Sequence, residues 1–288
     1  MEEWRIVANA SIYHVDRMNM NRPIGFFDSG VGGFSVLRRA METTHRPIIY
    51  IGDTKRMPYG MRTPQEVEAF TLQCLHELEK QNPVAAVIAC NTATVFALQR
   101  ARETFSFPVI GVIDPACRYA VRVSRTKKIA LLATQATVLS GSYQQTLQAI
   151  DPDVEVIGCE TADLVVAIEH GHFDDETAEE LIRHYLDRIS SFPYDTLVLG
   201  CTHLPLALPI FRKFFPAESG VTLVDPADPT LDEILRVIPA ESANEGSIEF
   251  LATGDVAAFQ QVAERFLDLS GRQVNFKQLN VESLGGNK

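Results

Sequence analysis

Short apolar runs alternate along the chain with longer stretches in which apolar positions recur every three or four residues. The runs 24–27, 48–51, 84–89, 109–112, 129–133, 154–157, 196–199 and 222–224 predict strands. Their continuous apolarity, without polar alternation, marks strands covered on both faces. The stretches 33–43, 64–80, 92–104, 141–150, 175–190 and 205–215 predict helices. The second of these has a strong start: Thr63 caps, Pro64 takes the first turn and Glu66 completes a capping box. Strands alternating with helices of this length predict an α/β fold with parallel sheets and helices on both faces.

The pattern repeats. IGFFDS from Ile24 matches IALLAT from Ile129, IGD from Ile51 matches IGC from Ile157, and Cys90 matches Cys201, with the order kept throughout. The expectation is two similar parallel-sheet lobes related by duplication, with the active site in the cleft between them. The first lobe spans 22–114 and the second 115–221. The tail from 222 to 288, with a helix near 230–238, the strand-like SIEFLA and a helix near 255–268, is expected to return to the first lobe. Residues 1–21 carry the only Trp and read as a separate N-terminal arm.

Composition narrows the function classes. In 288 residues, 46% hydrophobic and 22% charged content suits a globular protein with two sizeable cores. A net charge of −11, with no Lys/Arg run, argues against nucleic acid or an anionic membrane as the main partner. No apolar stretch reaches the roughly 18 residues of a membrane span, and the Met-Glu-Glu start lacks the pattern of a secretory signal. Cysteines 74, 90, 117, 159 and 201 form no C-x-x-C pair, which predicts reduced thiols, a cytoplasmic location and no metal site.

Two of those thiols hold the candidate chemistry. Cys90 ends VAAVIAC and opens CNTAT; Cys201 ends TLVLGC and opens CTHLP. Both therefore fall at carboxyl ends of buried strands, where α/β proteins bind ligands. A facing pair of thiols suits proton exchange at carbon, one removing a proton and the other returning one to the opposite side. His203 lies close enough to Cys201 to tune it, although a Cys–His pair also serves as nucleophile and base or as half a metal site. Asn91, Thr92 and Thr202, with helix-start amides, are carboxylate binders. FDSGVGG after the first strand is either an anion cradle or a tight turn, and its Asp28 either an acid–base or orienting group or a helix cap. DTKRMPYG (53–60) is a rigid loop bearing an aromatic hydroxyl. Cys74, Cys117 and Cys159 lack such flanks and read as structural.

Four motifs in order, FDSGVGG with Ser35-Val36, DTKRMPYG, ACNTAT and LGCTHLP, resemble the glutamate racemases of the aspartate/glutamate racemase family over about residues 22–240. Phe34, where the family usually has Leu, and VIDPAC with its extra Cys117 are modest departures. The resemblance implies cofactor-independent interconversion of L- and D-glutamate for peptidoglycan synthesis, with Cys90 and Cys201 as the two bases. It implies Asp28 assisting Cys90 and His203 assisting Cys201. Substrate binding would fall to Asp28, Ser29, Tyr59, Gly60, Asn91, Thr92, Thr202 and His203. It implies no cofactor and no metal, raises a homodimer, and raises a cell-wall precursor acting as activator through the arm. Glu169 in VVAIEHG fits, less cleanly, a helix-borne Glu discussed for the family. The alternatives are a racemase of another acidic amino acid such as aspartate, or a non-catalytic amino-acid sensor on the same fold.

Overall fold

In the computed structural model, which describes residues 22–238 and 246–282, ten strands form two all-parallel sheets. The arm at 1–21 lies outside the described residues. The strands are β1 (Ile24–Asp28), β2 (Ile48–Gly52), β3 (Ala85–Ile88), β4 (Val109–Gly111), β5 (Lys128–Ala133), β6 (Glu155–Glu160), β7 (Thr196–Gly200), β8 (Thr222–Val224), β9 (Ile248–Ala252) and β10 (Val274–Gln278). The first sheet runs β10-β9-β2-β1-β3-β4 and the second β6-β5-β7-β8. The order β2-β1-β3-β4 is thus repeated by β6-β5-β7-β8, so the duplication read in the sequence is a duplication of topology.

The helices are α1 (Phe34–Met41), α2 (Pro64–Glu79), α3 (Asn91–Thr104), α4 (Ile113–Val123), α5 (Gln135–Ser140), α6 (Ser142–Ile150), α7 (Ala162–Glu169), α8 (Glu176–Ile189), α9 (Leu208–Phe214), α10 (Ala227–Val237) and α11 (Val256–Phe266). The capping box at α2 is formed, with Thr63 and Glu66 bonding reciprocally.

Strand side chains alternate between cores. Phe27, Ile51 and Ile88 pack with Val67, Leu75 and Leu78 of α2 and Ala93 of α3. On the opposite face Phe26, Tyr50 and Val87 join Leu37 of α1, Ile234 of α10 and Phe259 of α11. That second cluster does not stop at the lobe boundary. Through Ala116 and Ala120 of α4 it continues into Ile129, Leu131 and Val198 of the second sheet. The far face of that sheet packs Leu132, Leu197 and Leu199 against α7, α8 and α9. One core therefore runs beneath both lobes, with α4 in the seam.

The chain leaves the expected tail arrangement at one point. The sequence predicts that residues from 222 return to the first lobe, but β8 pairs with β7 at the edge of the second sheet, Thr222 N donating to Asp195 O at 2.8 Å. A strand only three residues long at an edge is placed by its neighbour's free ladder, and its own pattern carries no lobe label. The return comes afterwards: α10 packs on α1, and β9 and β10 extend the first sheet beside β2.

Candidate active site

In each sheet the connections reverse direction about the central pair, β1/β3 in one lobe and β5/β7 in the other. The carboxyl ends of such pairs open a crevice, and the two crevices meet. Between them lies a small cavity lined by Ser29, Met57, Pro58, Tyr59, Gly60, Cys90, Asn91, Thr92, Thr134, Val165, Glu169, Cys201, Thr202 and His203.

Cys90 follows β3 and is the residue before α3, whose Ala93 amide donates to Sγ at 3.5 Å; Ser29 Oγ lies 3.5 Å away on the other side. Burial, with the Asp28 carboxylate nearby, pushes the Cys90 thiol up to about 12. Asp28, at the end of β1, is fully buried and does not line the cavity. It accepts from Gly30 N at 2.8 Å and from Thr202 Oγ1 of the other lobe at 3.1 Å. It does not cap a helix, since α1 begins only at Phe34. Burial raises its carboxyl above the usual value, only partly opposed by His203 and these hydrogen bonds. Beneath the turn, buried Tyr50 donates to Gly30 O at 3.0 Å.

Cys201 follows β7, and His203 Nδ1 stands 3.6 Å from its Sγ. The other ring nitrogen, Nε2, pairs with Glu169 Oε1 at the end of α7. Burial alone would drive this imidazole down, but the Glu169 carboxylate and the Cys201 sulfur outweigh it and hold His203 well above the ordinary histidine value. Glu169, the weaker sequence candidate, is thus joined to Cys201 through His203. The lobes meet closely here: a Cβ on Gly32 would come within 2.5 Å of Thr202 Oγ1 and 2.9 Å of His203 Nδ1, so only glycine fits in FDSGVGG at that point.

The 53–60 loop enters from the side. Tyr59 is buried, and its hydroxyl donates at 2.5 Å to Oδ2 of Asp53, which does not line the cavity. Asp53 also accepts from Arg56 Nε at 2.7 Å and from Thr253 Oγ1 at 2.7 Å. The returning tail therefore braces the loop that brings Tyr59 and Gly60 to the cavity. Asn91 and Thr92 occupy the first turn of α3, where unpaired amides favour an anion. Thr92 Oγ1 meets Thr134 Oγ1 across the lobes at 2.9 Å. Thr134 was missed as a lining residue, although it is the duplicate of Ser29 in the IGFFDS/IALLAT match.

Cys74, Cys117 and Cys159 are buried thiols away from this wall. Among the described residues no group of three or more His, Cys, Asp or Glu is arranged to hold a metal ion, and no helix is long and apolar enough to cross a membrane.

Residues 33–234 match the model of the family described as Asp/Glu/Hydantoin racemase. A glutamate racemase from Shouchella clausii is 36% identical over 256 residues, covering 87% of this chain and 92% of the relative. The crystal structure of a glutamate racemase from Bacillus anthracis superposes with a TM-score of 0.83 at 32% identity, covering 90% of this chain and 98% of that one. That of a glutamate racemase from Francisella tularensis in complex with D-glutamate gives 0.81 at 27% identity, covering 91% and 99%.

Proposed function

The chain belongs to the aspartate/glutamate/hydantoin racemase family as a glutamate racemase, and from that premise we propose that Cys90 and Cys201 carry out the reaction as a two-base pair, without a cofactor. The observation that carries this reading is the cavity itself: thiols on equivalent turns of two duplicated lobes line one shared cleft.

L-Glutamate enters with its α-hydrogen toward Cys201. The Cys201 thiolate takes that proton, and the electron pair stays on Cα, delocalised into the α-carboxylate. The Cys90 thiol then gives its proton to the opposite face, releasing D-glutamate and leaving the two sulfurs with exchanged protonation. The reverse reaction starts from Cys90. The Cα proton of a free amino acid is only weakly acidic, so the carbanion needs fixed dipoles and exclusion of water. The amides of the first turn of α3 and the Asn91 and Thr92 side chains supply the dipoles. The imidazolium of His203, held by Glu169, gives the Cys201 sulfur a cationic neighbour. Cys90, pushed up to about 12, rests as the thiol that the L-to-D direction requires of its acid.

D-Glutamate made this way serves peptidoglycan synthesis. The decisive experiment gives dialysed protein L-glutamate in D₂O. Loss of circular dichroism with deuterium appearing at Cα supports the reading. Turnover that stops with EDTA, or that needs added pyridoxal phosphate, rules out its cofactor-free form.

A further inference from the structure

Tyr143, in the first turn of α6, touches both halves of the site without lining the cavity. It is 1% exposed. Its ring lies under the second catalytic turn: a Cβ on Gly200, the residue before Cys201, would stand 3.2 Å from Tyr143 Cε2. Its hydroxyl crosses to the first lobe and donates to Asn91 Oδ1, the residue after Cys90, at 2.6 Å. One side chain thus spans from the neighbour of one thiol to the neighbour of the other.

The hydrogen-bond arithmetic then fixes the Asn91 amide. Asn91 is 2% exposed and its Nδ2 has no hydrogen-bond partner among the described residues, although the residue lines the cavity. An amide turned the other way would donate Nδ2 to the phenol, and the phenol proton would need another acceptor. Asn91 Oδ1 is the acceptor that the structure gives it. Buried donors left unpaired are costly, and the residue that carries this one lines the space where a carboxylate is to bind.

We propose that Tyr143 is a positioning residue: its hydroxyl locks the Asn91 amide with Nδ2 toward the cavity as a donor to a substrate carboxylate, and does so only while the two lobes are together. Substrate affinity is thereby tied to lobe closure through one phenol. The inference rests on the glutamate-racemase reading of the cavity.

The test is steady-state racemisation of L- and D-glutamate by wild type, Tyr143→Phe, Asn91→Ala, the double variant and Asn91→Asp. Tyr143→Phe keeps the ring under Gly200 and frees the amide to rotate. It should raise KM about tenfold and leave kcat within about twofold, the size expected for one misdirected hydrogen bond to a charged group. In the Asn91→Ala background the same change should do nothing further, because its effect passes through the amide. Asn91→Asp keeps the acceptor for Tyr143 but replaces the donor with an oxygen, and should raise KM more than Asn91→Ala. A wild-type KM in Tyr143→Phe, a fall in kcat alone, or an undiminished penalty in the double variant overturns the proposal. So does Asn91→Asp with wild-type KM, an arm that stands even if Tyr143→Phe fails to fold. Wild-type protein that does not racemise glutamate would instead remove the functional reading itself.

Discussion

A protonated thiol is no base, so at the scale of single residues the question is what each sulfur has beside it. Cys90 has a buried carboxylate, Asp28, and an apolar setting that together favour the neutral form. Cys201 has an imidazole held cationic by Glu169. Replacing either cysteine with Ala should abolish racemisation in both directions, at or beyond the upper end of the ~10²–10⁴-fold typical of a general acid or base. With a leaving group on the β-carbon, elimination needs only one base. Cys90→Ala should then still eliminate from the L enantiomer and Cys201→Ala from the D enantiomer. Loss of the same enantiomer by both variants would end the two-thiol mechanism. Glu169→Gln makes a sharper demand. The carboxylate is the chief influence raising His203, and without it burial drives the imidazole down. A group with a raised value holds its proton below that value and loses it as pH rises. The alkaline limb of kcat/KM should therefore move to lower pH in Glu169→Gln, and a limb that stays put contradicts the role given to His203.

Elements decide how firmly these residues are held. Asp195, just before β7, accepts from Ser124 Oγ at 2.6 Å, from the amides of Arg125 and Thr126 at 2.7 Å, and from Thr196 Oγ1 at 2.9 Å. Burial would raise its carboxyl, but these donors outweigh it and bring it to about 2, against 3.8 in a free chain. A lowered value stabilises the fold above the free-chain value and loses that contribution as pH falls toward the folded one. Asp195→Asn should cost about 2 kcal/mol at pH 7, read from urea midpoints, and the gap from wild type should close between about pH 4 and pH 2. The strands and most helices were legible because both-face burial and amphipathic spacing write themselves into the chain. Four elements were not. α4 carries Pro115 directly after a strand, which reads as a break although proline suits a first turn. α5, only six residues long, leaves little periodicity to read. α7, ADLVVAIE, is nearly all apolar and has no periodicity to separate it from a strand. β10 is a largely exposed edge with no apolar run. Glu169 fits the helix-borne Glu less cleanly from sequence because its reach to His203 is set by where α7 ends, and sequence spacing across 34 residues does not encode that contact. Asp28, Ser29, Cys90, Asn91, Thr92, Cys201, Thr202 and His203 were readable because each sits within a few positions of a strand end.

For the molecule as a whole, the continuous core through α4 means that neither lobe can lose its packing alone. Calorimetry should show one cooperative unfolding transition; two resolved transitions would mean that the seam is weaker than its burial implies. Because the cavity is built from residues between Ser29 and His203 and braced by Thr253, deleting 1–21 should leave basal racemisation detectable in folded protein. The unequal company of the two sulfurs, a carboxylate for one and an imidazolium for the other, has a final consequence. Enantiomers have identical free energies in water, so the equilibrium constant of this reaction is unity. The ratio of catalytic efficiencies for the two directions must equal it, at every pH and in every variant that still turns over. However unlike the two walls of the cleft become, kcat/KM for L-glutamate and for D-glutamate must rise and fall together. The chirality of the protein can show itself only in how each hand divides that common efficiency between holding its substrate and converting it.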